Sequence, residues 1–228
     1  TRIGSEVDNV KIGDRVTVWS RNTYCNYLRN DARVMQRIPD DMSFEVAAAI
    51  PIVFATVVYG FSDMAHLSKG ESVLIHAASG GVGQAAIMYA QMVGANVFVT
   101  VGTQAKRDLV HREFGIPDDH IFNSRDLSFA RQINEATGGR GVDVVLNSLA
   151  GEALSATWSC IAMFGRFIEI GKKDIIENRL LNMAPFVRNV SFHALDLNTV
   201  RWCNVPLASR LLAEAMDLIR SKKLRPIQ

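Results

Sequence analysis

Val73-Leu74-Ile75-His76-Ala77-Ala78-Ser79-Gly80-Gly81-Val82-Gly83-Gln84-Ala85-Ala86-Ile87 is the stretch that decides how this chain is read. An apolar run ends in a turn of small residues, and an apolar helical pattern starts at once. Strand, turn and helix in that order open a dinucleotide-binding α/β unit. The match is to a relaxed fingerprint, with Ala78, Gly80 and Gly83 in the three small positions. Ala78, Ser79, Gly80, Gly81 and Val82 are the expected pyrophosphate turn, and Gly83 lets the helix pack on the strand. Free amides at the helix start then face the phosphate charge. A glycine pattern of this kind is weak alone, so its surroundings must carry the case.

They do. Asn96-Val97-Phe98-Val99-Thr100-Val101 reads as a second strand ending at Gly102. An NAD-specific fold places an Asp or Glu about 20 residues past the turn, on the ribose 2′-hydroxyl. Here that stretch is Gly102-Thr103-Gln104-Ala105-Lys106-Arg107, with no acid and two cations. A carboxylate would repel a 2′-phosphate, whereas Thr103 can donate to it and Lys106 can neutralise it. Ser124 and Arg125, after the next apolar run, are placed to close the phosphate site from the neighbouring strand. The expected cofactor is therefore NADPH, the alternative being that Lys106 and Arg107 only begin a solvated helix.

The chain has 228 residues, 48% hydrophobic and 21% charged, as in an ordinary globular protein. A net charge of +2 gives no reason to expect nucleic acid or a membrane surface as partner. The longest apolar stretch, Ala47 to Phe61, is broken by Pro51 and too short to span a bilayer. Cys25, Cys160 and Cys203 are far apart and form no CxxC pair, so they read as reduced thiols of a cytoplasmic protein without a zinc lobe. His66, His76, His111, His120 and His193 show no ligand spacing, and no metal site is expected. The chain starts at Thr1 and stops at Gln228 inside apparent patterns, so it is expected to be a piece of something larger.

Residues 1 to about 40 are rich in turns, and the runs at 11–19 and 23–28 suggest short strands. From Ser43 the period changes to helical, giving two apolar helices bent at Pro51. After Gly70, strands near 72–77, 96–101, 120–123, 142–147, 166–171 and 189–196 alternate with helices near 83–93, 104–114, 127–136 and 151–161. A last helix is expected near 206–221. Continuous apolar strands alternating with amphipathic helices specify a doubly wound parallel Rossmann sheet, covered on both faces.

The β-rich start, the apolar helix pair and Gly80-Gly81-Val82-Gly83-Gln84-Ala85-Ala86 together resemble the medium-chain dehydrogenase/reductase superfamily. Within it, His76-Ala77-Ala78, the run from Gly138 to Leu149 and Gly165-Arg166-Phe167-Ile168-Glu169-Ile170-Gly171-Lys172 are similar to enoyl reductase domains. Those domains belong to fatty acid synthases and highly reducing polyketide synthases, and the wording is nearest to the fungal polyketide type. The resemblance covers essentially the whole chain. It implies that residues 1–45 are part of a GroES-like β-rich substrate domain, truncated at its N-terminus. Residues 46–228 would be the NADP-binding Rossmann domain with its C-terminal helix, lacking the return to the substrate domain. One departure is Val58, where many relatives carry Tyr.

The resemblance further implies hydride transfer from NADPH to the β-carbon of an α,β-unsaturated thioester held on acyl carrier protein, then protonation at the α-carbon. Other domains of a megasynthase, and a homodimeric parent protein, are the expected partners. Lys172 and Asp196, at the ends of the fifth and sixth strands, match the Lys and Asp proposed as proton donors in the family. Carboxyl ends of neighbouring strands are also where open α/β sheets hold ligands. The bland alternative is a structural ion pair or a solvated turn. Thr56 matches a Thr near the nicotinamide, although a mid-helix Thr is as readily a packed residue bonded to its own turn. Asn147 and Ser148 are expected to reach the nicotinamide ribose, with Gly171 and Ala194 letting main-chain groups approach the carboxamide. His76 reads as a buried polar residue rather than a base. Two other readings share the glycine turn: a free-standing zinc-independent quinone or alkenal reductase, and a non-catalytic scaffold. The runs around Asn147 and Lys172 favour the enoyl reductase.

Overall fold

The computed structural model describes residues 2–227; Thr1 and Gln228, where the sequence is expected to be cut, lie outside the described residues. The chain divides into two compact units. One is Gly60–Leu195, and the other combines the residues up to Tyr59 with those from Asp196 onward.

The flanking unit contains β1 (Val16–Val18), β2 (Met35–Arg37), α1 (Phe44–Ala48) and α2 (Ile50–Val57), the last running on into a π-helical stretch, Val58–Met64. Strands β1 and β2 pair antiparallel, with Thr17 opposite Gln36. The strand expected at 23–28 is absent among the described residues. Tyr24 and Tyr27 are 106% and 82% exposed, so that run has no face to bury and no reason to join a sheet. Pro51 sits in the first turn of α2, where its missing N–H costs nothing, and so it starts this helix rather than bending one. This unit also takes α8 (Leu197–Cys203) and α9 (Val205–Arg220). α9 packs against α2 along a buried stripe that includes Leu211, Leu212, Ala215 and Ile219. Through this packing the flanking unit takes in the residues after 45 as far as Tyr59, together with those from Asp196 onward.

The other unit carries β3 (Ser72–Ile75), α3 (Gly81–Val93), β4 (Asn96–Val101), α4 (Gln104–Phe114), β5 (Ile121–Asn123), α5 (Ser128–Ala136), β6 (Val142–Asn147), α6 (Glu152–Ser159), β7 (Ile161–Glu169), α7 (Lys173–Ile176) and β8 (Ser191–Ala194). Its strands form one parallel sheet in the order β5-β4-β3-β6-β7-β8. This is the doubly wound arrangement, whose order reverses between β3 and β6; a ligand crevice opens there at the carboxyl edge. β3 is wholly buried, as a central parallel strand must be. One side of the core stacks Phe167 on Phe192 and sets Trp158 edge-on against both.

Candidate functional site

The glycine turn occupies the carboxyl end of β3, at the reversal point. Gly80 caps α3 without any side chain on the first-turn amides, which therefore face outward as a ready anion site. The turn is braced from within: the Gly80 amide donates to the Ala77 carbonyl at 2.9 Å, and Gln84 Nε2 to the Ser79 carbonyl at 2.9 Å. Ala78 is fully buried, and its amide reaches the Thr100 carbonyl of β4 at 3.1 Å. At Gly83 an added Cβ would lie 2.5 Å from the Ala77 oxygen and 2.6 Å from Ala78 Cα. Only glycine lets α3 start this close to the strand. Beneath the turn His76 is 3% exposed, and burial pulls its pKa down to about 3. Its Nδ1 lies 2.7 Å from Thr100 Oγ1 and its Nε2 3.0 Å from Thr157 Oγ1. Thr157 gives its own proton to the Ala153 carbonyl, so His76 donates from Nε2 and accepts at Nδ1. It is a neutral rivet between β3, β4 and α6.

At the ends of β4 and β5 the fold brings the expected phosphate-binding residues together. Thr103 caps α4, its Oγ1 accepting the Lys106 amide at 3.4 Å, which leaves the hydroxyl proton able to donate. Ser124 is tied to β4 by its amide on the Val101 carbonyl at 2.9 Å. The exposed Arg125 reaches across from β5, with Nε 3.4 Å from the Gly102 carbonyl. Lys106 is exposed, whereas Arg107 is turned inward onto Asp118 and the Ile121 carbonyl and serves the fold. A cavity of about 300 Å³ opens here, lined by Gly102, Thr103 and Asn123 among others.

The third group lies at the carboxyl ends of β6 and β7. Asn147 does not present its amide to a ligand, contrary to the sequence expectation. It is fully buried, and Nδ2 donates to the Leu149 carbonyl at 2.8 Å and to Glu169 Oε2 at 2.5 Å. Ser148, next to it, is exposed. Glu169, which the sequence does not single out as a site residue, holds the Asn147 amide in place. Its other oxygen, Oε1, accepts the Gly171 amide at 2.5 Å. The signal was present: an acid inside the apolar run Phe167-Ile168-Glu169-Ile170 is costly to bury and needs donors. Burial, partly offset by the Asn147 and Gly171 hydrogen bonds, pushes its pKa up to about 7. Lys172 follows, exposed, at the start of the short helix α7. Asp174, on that helix, accepts the Gly151 amide at 2.8 Å.

Thr56 and Asp196 lie in the flanking unit and Lys172 in the sheet unit. Thr56 is 5% exposed, and its hydroxyl donates to the Ile52 carbonyl one turn back at 2.7 Å, the packed arrangement that the sequence left open. Asp196 caps α8: its carboxylate accepts the Asn198 amide at 2.9 Å and the Thr199 hydroxyl at 3.2 Å. Ala194 ends β8 and is exposed. Among the described residues no three His, Cys, Asp or Glu side chains gather into a possible metal site, and no helix is long and apolar enough to cross a membrane.

Residues 81–219 match the family described as zinc-binding dehydrogenase. The donor set needed for a metal is not found among the described residues. The chain is 51% identical over 230 residues to the hybrid PKS-NRPS synthetase pynA of Aspergillus niger, covering 99% of this chain but 6% of that synthetase. Among solved structures, CurK enoyl reductase superposes with a TM-score of 0.88 at 34% identity, covering 99% of this chain and 67% of that one. The nucleotide-binding subdomain of the enoylreductase domain of PpsC from Mycobacterium tuberculosis gives 0.73 at 38% identity, covering 78% of this chain and 98% of that one. With the glycine turn, the sheet order and the Lys172 turn in place, the chain belongs to the enoyl reductase domains of polyketide synthases, within the medium-chain dehydrogenase/reductase superfamily.

Proposed function

We propose that this chain carries out the NADPH-dependent reduction of an α,β-unsaturated acyl thioester, presented on acyl carrier protein by a highly reducing polyketide synthase. One observation carries the reading: a phosphate-type glycine turn on β3 and the Lys172 turn on β7 share the carboxyl edge of one parallel sheet, with only β6 between them. NADPH, when bound, supplies the hydride to the β-carbon.

The chain's own residues do the rest. Amides of Gly81, Val82 and Gly83 hold the pyrophosphate. Thr103, Lys106, Ser124 and Arg125 hold the 2′-phosphate, selecting NADPH over NADH. Ser148, Gly171 and Ala194 line the approach of the nicotinamide end, and Thr56 is a further candidate contact by its match to the family's Thr. Hydride addition leaves negative charge on the thioester oxygen, and a proton must then reach the α-carbon. The Lys172 ammonium is suited to both tasks: it neutralises the enolate and gives up a proton. Asp196 is the second candidate proton donor, by its match to the family's Asp. The same proposal sets the reaction in the cytoplasm, among other synthase domains. It takes the parent protein as a homodimer.

The test uses the full-length parent protein with Lys172→Ala and Asp196→Ala combined. General acid catalysis typically contributes about 10²–10⁴-fold. A kcat drop of that size, with the NADPH dissociation constant nearly unchanged, is expected, because a group acting only in the transition state leaves ground-state binding alone. A change under about threefold would hand the proton transfer to water and reduce both residues to a structural role.

A further inference from the structure

We propose that Glu169 is a positioning residue for Lys172: its buried carboxylate bridges the Asn147 amide and the Gly171 N–H, fixing the turn that presents Lys172. The proposal rests on the reading of Lys172 as the proton donor.

The carboxylate is 1% exposed, and its two oxygens serve two different strand ends. Oε2 accepts from Asn147, the last residue of β6, and Oε1 from Gly171, immediately before Lys172. Position 171 is shaped to this contact: a Cβ there would stand 2.6 Å from Glu169 Oε1, so a side chain would push the carboxylate off its amide. On the far side of Lys172 a second carboxylate makes the matching strut, Asp174 accepting the Gly151 amide ahead of α6 at 2.8 Å. The β6 and β7 loops are thus cross-braced on either side of Lys172. For holding strands together, an apolar residue would serve better than a buried acid, whose desolvation is costly unless donors converge on it. Here donors do converge, and they do so at the Lys172 turn. Burial, and to a smaller extent the charge of Asp174, pushes the acid's pKa up to about 7, while the Asn147 and Gly171 hydrogen bonds hold it down.

The test is a double-mutant cycle in the full-length parent protein, reading kcat, KM for the enoyl thioester and the NADPH dissociation constant. Glu169→Gln keeps the shape but sets an NH₂ group against a donor. It is expected to lower kcat between about fivefold and a hundredfold, with NADPH affinity within about twofold of wild type. In a Lys172→Ala background the same change is expected to cost less than about twofold more, because the residue it positions is gone. A wild-type kcat in Glu169→Gln, or losses that multiply fully, overturns the proposal. Wild-type kcat in Lys172→Ala overturns the reading beneath it, and the proposal with it. Should Glu169→Gln not fold, Glu169→Asp decides. It keeps the charge but is one methylene short of spanning both donors, and is expected to lower kcat at least about threefold with the same non-additivity. A folded Glu169→Asp with wild-type kcat overturns the proposal.

Discussion

Gly83→Ala isolates the close approach on which the cofactor turn depends. The new Cβ would stand 2.5 Å from the Ala77 oxygen and 2.6 and 2.7 Å from Ala78 Cα and C, all backbone atoms. Ordinary carbon–carbon contacts lie at about 3.5–4.0 Å, so the start of α3 and the turn must part by close to an ångström. Overpacking of this kind costs about 1–3 kcal/mol, against which Ala gains about 1 kcal/mol in helix propensity over Gly. The net cost to folding is therefore about 0–2 kcal/mol, and the protein should remain folded. Cofactor binding suffers more. The amides that face the pyrophosphate move together, and loss of one charge-assisted hydrogen bond alone costs about 1.5–3 kcal/mol, a 10- to 150-fold weaker dissociation constant. Fluorescence titration of NADPH, with Tm measured in parallel, separates the two effects. Gly80→Ala is the control: its Cβ would meet only the Ala77 oxygen, at 3.3 Å, and a smaller loss is expected. NADPH affinity within about twofold of wild type in a folded Gly83→Ala protein would refute the assignment of this turn.

Two further outcomes follow from the same structure. Lys106→Ala should weaken NADPH by about 1.5–3 kcal/mol while leaving NADH almost unchanged; equal effects on both cofactors in calorimetric titration would remove Lys106 from the phosphate site. His76 gives a pH dependence of stability. Its folded pKa, about 3, lies below its unfolded value near 6.5, so its contribution is complete above pH 6.5 and is lost as pH falls towards 3. At pH 5 the loss attributable to this one group is about 2 kcal/mol, and urea unfolding at pH 5 and 7.5 should show that loss shrinking in His76→Gln.

Most of the sheet unit was legible in the sequence because its signals are local. Thr103 before α4 and the small residues before α3 mark helix starts, and continuous apolar runs at β3, β4 and β6 leave no face for water. Elements set by distant partners were not legible. α8, Leu-Asn-Thr-Val-Arg-Trp-Cys, is a poor helix by propensity. It forms because Asp196 caps it and because the buried Arg201 bonds the Trp19 carbonyl and Asn30 Oδ1. The same residue, Asp196, was thus visible as an acid but not as a cap. Asn147 sits at a strand end, where its sequence position suggests an outward amide, and only the fold reveals that Glu169 claims that amide. Position along the sheet is written in the hydrophobic period. The direction of a polar side chain depends on whichever partner the next strand brings.

The most direct test of the account is the loss of NADPH absorbance when the full-length parent protein is offered a crotonyl-pantetheine thioester. The expected result is oxidation of NADPH that depends on the double bond, yields the saturated thioester, runs far more slowly with NADH and falls about 10²–10⁴-fold in the combined Lys172→Ala, Asp196→Ala variant. Turnover that proceeds equally with NADH, or no reduction of the enoyl thioester by a folded, NADPH-binding protein, would contradict it.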